Sequence, residues 1–153
     1  MSGYNEEAYQ QARESVIEHP CPFERALLKG CVHCHLARKR LLAERELMTC
    51  TEANASARCQ HFLAAVHHNA RFALHLDANQ PWPFGKEIRA QCGGVLGLMD
   101  ALETPETDIA TLLDTALADD KPADDLPWST IMRSVVHYDP RPHNKPSPKT
   151  TPD

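Results

Sequence analysis

Between Asn54 and Leu76 the apolar residues Phe62, Leu63, Val66, Ala70, Ala73 and Leu74 follow Cys59 at offsets of 3, 4, 7, 11, 14 and 15. That spacing is one face of an amphipathic helix, and it places Cys59 on a core-facing stripe. On the opposite side His61, His68 and His75 recur every seven residues, so they are expected to face solvent. A second apolar series, Ile88, Cys92, Val95, Leu96, Met99 and Leu102, keeps the helical period across Gly93 and Gly94. The paired glycines predict a kink or a close helix contact there. Ile109, Leu112, Leu113, Ala116 and Leu117 supply a further buried face behind Thr104-Pro105-Glu106, which resembles an N-cap with proline at the first helical position. A short helix is expected from Trp128 to His137.

Towards the N-terminus, Tyr4 to Ile17 has the pattern of a polar helix, stopped by His19-Pro20-Cys21-Pro22, whose prolines hold their predecessors extended. Cys21 therefore falls in a rigid turn. A helix restarts from Phe23 to Leu28, Gly30 offers a break, and Cys31 to Met48, rich in Leu and Arg, continues as helix. No segment shows sustained strand alternation. The expected fold is all-α, a small irregular helical bundle with a cysteine-lined metal site near its N-terminal half. One domain spans 1–138, followed by a tail, 139–153, in which five prolines among polar residues predict disorder.

Composition sharpens this picture. With 153 residues and 6% aromatics, the chain suits one core that needs no disulfide to survive. A net charge of −5 without a long basic stripe argues against nucleic acid as a partner. Met1 to Glu18 lacks the layout of a signal peptide, and nowhere do about 18 apolar residues run together as a membrane span needs. A soluble, cytoplasmic protein with no membrane partner is expected, and in that reducing compartment cysteines favour metal binding over disulfides.

Five of the six cysteines, Cys21, Cys31, Cys34, Cys50 and Cys59, fall within 39 residues in the pattern C-x9-C-x2-C-x15-C-x8-C. Cys31 and Cys34 can turn two thiolates towards one centre. Cys21, in its proline turn, and Cys50, past the end of a segment, complete the expected metal-ligand set of Cys21, Cys31, Cys34 and Cys50. Cys59 is a fifth candidate for cofactor contact, whereas Cys92 fits simple burial on an apolar face. Structural zinc sites pair two short hooks, and only one exists here. Single ligands at wide intervals suit an iron–sulfur cluster, with [4Fe–4S] the first choice and zinc the alternative.

Other chemistries fit less well. Cys31-Val32-His33-Cys34-His35 matches the C-x-x-C-H of haem attachment but lacks an export signal. A thioredoxin-like use of Cys31 and Cys34 would need a neighbouring βαβ pattern. His33 and His35 flank the thiols as further ligands or hydrogen-bond donors. Gly93-Gly94 lacks the rest of a phosphate loop, and no catalytic set stands out, so an enzyme is disfavoured. Arg38-Lys39-Arg40 with Glu44 and Glu46 forms a solvated charged face, with docking of an acidic redox partner as its alternative use. The expected function is an iron–sulfur accessory protein, for electron transfer or for redox or iron sensing, served by a protein redox partner. The alternatives are a zinc-stabilised helical interaction module and a thiol redox protein acting through Cys31 and Cys34.

Overall fold

A computed structural model of the chain describes residues 6–16, 19–77, 79–118 and 121–139. Seven α-helices and one hairpin make up its named elements: α1 (Glu6–Val16), α2 (Glu24–Lys29), β1 (Ala37–Leu42), β2 (Arg45–Cys50), α3 (Ala53–Ala73), α4 (Phe84–Ile88), α5 (Gly94–Ala101), α6 (Ile109–Ala116) and α7 (Trp128–His137). A five-residue π segment, Arg89–Gly93, joins α4 to α5, and a 3-10 turn, Ala123–Asp125, precedes α7. The tail expected to be disordered lies, beyond Asp139, outside the described residues.

The long central helix α3 forms where the 3.6-residue period placed it. Its stripe of Ala55, Cys59, Phe62, Leu63, Val66 and Ala70 is buried, while His61, His68 and His75 are exposed. Phe62 is the hub, with its ring 6.1 Å from that of Phe23 and 6.0 Å from that of Trp128. Burial of a side chain of this size stabilises by about 1.5–3 kcal/mol, so this stack fixes α2, α3 and α7 as one core. The glycines act as the close contact their spacing suggested. A Cβ on Gly93 would lie 2.6 Å from the Val135 Cα, and one on Gly97 2.8 Å from the Ile131 Cα. Only hydrogen at these positions lets α7 lie against the π segment and α5.

The all-α expectation fails between Ala37 and Cys50, where the chain forms an antiparallel two-stranded sheet instead of continuing as helix. Ala37 pairs with Cys50 at the open end and Leu42 with Arg45 at the turn. Leu, Arg, Lys and Glu carry good helix propensity, but this segment buries Leu47 and Met48 as a strand, with Leu47 in a small cluster beside Tyr9 of α1 and Leu42. Tertiary burial outweighs local preference here. The turn makes the hairpin harder to foresee, because Ala43 and Glu44 both have positive φ, 51° and 69°. Two central residues of positive φ define the tight hairpin turn normally built from Asn-Gly.

The start of α6 also differs from expectation. Its N-cap is Asp108, not Thr104, and the Asp108 side chain accepts from the Thr111 N–H. Thr104 still serves the approach by accepting from the Glu106 N–H at 3.2 Å. The cap moves because Asp108 is also bonded to the loop that carries Cys34. No helix among the described residues is long and apolar enough to cross a membrane.

Candidate thiol site

The hairpin organises the cysteines. The Cys50 N–H donates to the His19 carbonyl at 2.7 Å, and Pro20 bridges to Thr49. The Ser56 hydroxyl then donates to the Pro20 carbonyl at 2.7 Å. These bonds stitch the Cys21 turn to the end of β2 and to the first turn of α3. On the other strand, the Ala37 N–H donates to the Cys34 carbonyl and the Thr51 N–H to the Leu36 carbonyl, so pairing of Ala37 with Cys50 draws the Cys34 loop to the same end. Cys59 follows on the buried stripe of α3.

Cys21, Cys34, Cys50 and Cys59 are all free, Cys50 and Cys59 buried and Cys21 and Cys34 half-buried. Burial first, with repulsion from Cys21, Cys34 and Cys50 added, pushes the Cys59 thiol up to about 12 against the lowering effect of the Arg58 cation. Burial likewise pushes Cys21 up to about 12 against the lowering effect of the Phe23 N–H, and Cys34 and Cys50 add to the rise. Cys34 is raised, again by burial first, although the N–H groups of Leu36 and Ala110 reach its sulfur and favour the thiolate. The Cys50 thiol donates to the Glu52 carbonyl at 3.2 Å.

The loop holding Cys34 is anchored to α6. The His33 N–H donates to the Thr107 carbonyl at 3.2 Å and the Ile109 N–H to the His33 carbonyl at 2.8 Å. Asp108 accepts from the His35 N–H, lies 2.8 Å from His35 Nδ1, and takes the Thr111 hydroxyl at 2.9 Å. Burial alone would raise the Asp108 carboxyl; the bonds from Thr111 and His35 outweigh it and hold the group below the usual carboxylate range. His33 Nδ1 lies 3.1 Å from the Thr107 hydroxyl. Both histidines thus pin the loop.

Two expectations about the site are corrected. Cys31 is bonded to Cys92 across 61 residues, so it is not a free thiol beside Cys34, and Cys92 is a disulfide partner and not a simple core thiol. The bond forms because the loop after α2 packs over the π segment, where Cys92 is fully buried. Nor does the fold carry the ready-made metal site expected of it. Among the described residues, no three Cys, His, Asp or Glu side chains are grouped to hold a metal ion. With Cys31 removed from the expected set, the remaining thiols come from separate elements. Cys59 was already a candidate from the sequence, and the structure adds the bond from Ser56 to the Pro20 carbonyl that ties its helix to the Cys21 turn.

No known protein family, curated protein or solved structure matches the chain.

Proposed function

We propose that this chain is an iron–sulfur accessory protein that takes up its cluster on Cys21, Cys34, Cys50 and Cys59, which close around it on loading. What supports the proposal is the hydrogen bonding that ties the Cys21 turn, the Cys34 loop and the Cys50 end of β2 to the first turn of α3, the helix that carries Cys59, with all four thiols free. Without a cation each ionised sulfur penalises the next. A cationic iron–sulfide core reverses the sign of that interaction, and N–H groups on thiolate sulfur set the potential of such clusters. Metal sites need not preform, since ligand deprotonation and ordering are coupled to binding.

Thiol exchange through Cys31 and Cys34 is less well supported. An attacking cysteine needs a lowered pKa, whereas burial raises that of Cys34, and Cys31 is already bonded to Cys92.

Anaerobic reconstitution of the full chain with ferrous iron and sulfide tests the proposal. It should yield a brown protein with about four iron and four sulfide per chain, as a [4Fe–4S] cluster requires. A colourless product that binds no sulfide would refute it.

A further inference from the structure

Where the C-terminal ends of α3 and α7 meet α4 and the π segment, the fold leaves a cavity of about 650 Å³, and no cysteine is among its lining residues. Lys86 and Arg89 both line it; three residues apart, they share one helical face. Lys86 Nζ donates to the Leu74 carbonyl at 2.8 Å, and Arg89 Nη1 donates to the Val136 carbonyl at 2.9 Å. Leu74 and Val136 line the same cavity, so both charged heads stand at its wall. An ammonium and a guanidinium each carry several N–H donors, and among the described residues neither group makes a second hydrogen bond or an ion pair. Spare donors of both are open to a ligand. His75, which also lines the cavity, follows the C-cap of α3 with φ 59°. Glycine is the usual residue at such a helix end, because the left-handed conformation strains a side chain. Histidine there sets an imidazole at the cavity rim at a cost in stability.

We propose that this cavity binds a small organic acid, its carboxylate held by Lys86 and Arg89 and its apolar body laid against Leu74, Pro83 and Val136. The site is independent of the cluster reading. A concave wall that is mostly apolar, with a few polar groups converging on it, is the usual form of a small-molecule site, and this volume lies within the usual range. Val136 is still 36% exposed, whereas Val135 beside it is fully buried, so an apolar ligand body would cover surface that the fold leaves wet. Charge selects the head group. A carboxylate accepts charge-assisted hydrogen bonds from an ammonium and a guanidinium at once, and the bonds to Leu74 and Val136 hold both cations in place before it arrives, which lowers the entropy lost on binding. Asp139 is the acidic group among the lining residues and opposes the anion; the two cations outweigh it. Capping of two helix ends accounts for one bond from each cation. It explains neither their convergence on one cavity nor a histidine where glycine would be more stable.

Calorimetric titration of the full chain with octanoate tests the proposal and should show one site per chain with a Kd below about 1 mM. Acetate, which lacks the apolar body, and octanamide, which lacks the charge, should each bind at least about tenfold more weakly. K86Q and R89Q should each weaken octanoate by about tenfold, and D139N should tighten it. Because both cations bond helix ends, H75G supplies an arm that loss of folding cannot imitate. Glycine relieves the positive φ, so this variant should melt at a higher temperature and yet bind octanoate more weakly. Absence of saturable octanoate binding to the full chain would overturn the proposal. So would an affinity that K86Q, R89Q and H75G all leave unchanged, or acetate binding as tightly as octanoate, since the apolar wall would then hold nothing.

Discussion

Burial favours the protonated form of a thiol, and that fixes how Cys21 and Cys59 should behave before any cluster is present. Both are pushed up to about 12 by burial, against about 8.5 in an unfolded chain. The folded state therefore holds their protons longer than the unfolded state does. Their contribution to stability is complete below about pH 8.5 and is lost as pH rises towards 12. Thermal melts of the reduced, iron-free protein should show stability falling over that alkaline range, and C59A should flatten the fall. An unchanged slope in C59A would mean its thiol is not held protonated. Asp108 has the opposite sign. Held below the usual carboxylate range by Thr111 and His35, it contributes stability at neutral pH that is lost in acid as the group protonates. Replacing it with Ala removes the α6 cap and the anchor of the Cys34 loop, and should cost about 1–2 kcal/mol on denaturant unfolding. At this scale the sequence spoke unevenly. The C-x-x-C spacing suggested that Cys31 and Cys34 act together. The true partner of Cys31 lies 61 residues away, and no local pattern encodes that.

Elements with strong period were legible and the decisive one was not. The spans of α3 and α7 follow directly from apolar spacing, because each buries a single continuous stripe. The β1–β2 hairpin has no such signature. Its first strand, Ala37–Leu42, is almost entirely exposed, so it lacks the alternation of a half-buried strand, and its turn is Ala43-Glu44 in place of Asn-Gly. Positive φ at both turn residues costs a non-glycine residue about 1–2 kcal/mol. The double substitution A43N/E44G should relieve part of that strain and raise stability by about 1 kcal/mol, read as a higher denaturant midpoint at unchanged slope. A lower midpoint would show that the turn does not have this conformation. The hairpin ties Cys21, Cys34 and Cys50 to one end of the sheet, a connection that the helical reading of this segment could not foresee.

Across the whole molecule, the Cys31–Cys92 bond closes a loop that includes the hairpin, α3 and α4. Restricting so long a loop in the unfolded chain is worth about 4 kcal/mol on chain-entropy grounds. Cleaving it in C31A/C92A should lower the melting temperature by roughly 10 °C in a domain of this size; a loss under about 2 °C would mean that the bond constrains little. The same bond divides the cysteines into a structural pair and a group of four free thiols, and that division is the central claim. Iron content per chain after anaerobic reconstitution of six single Cys→Ser variants tests it most directly. C21S, C34S, C50S and C59S should each lose stoichiometric iron, while C31S and C92S keep it at reduced stability. Retention of full iron by C21S or C59S, with loss in C31S, would contradict the account.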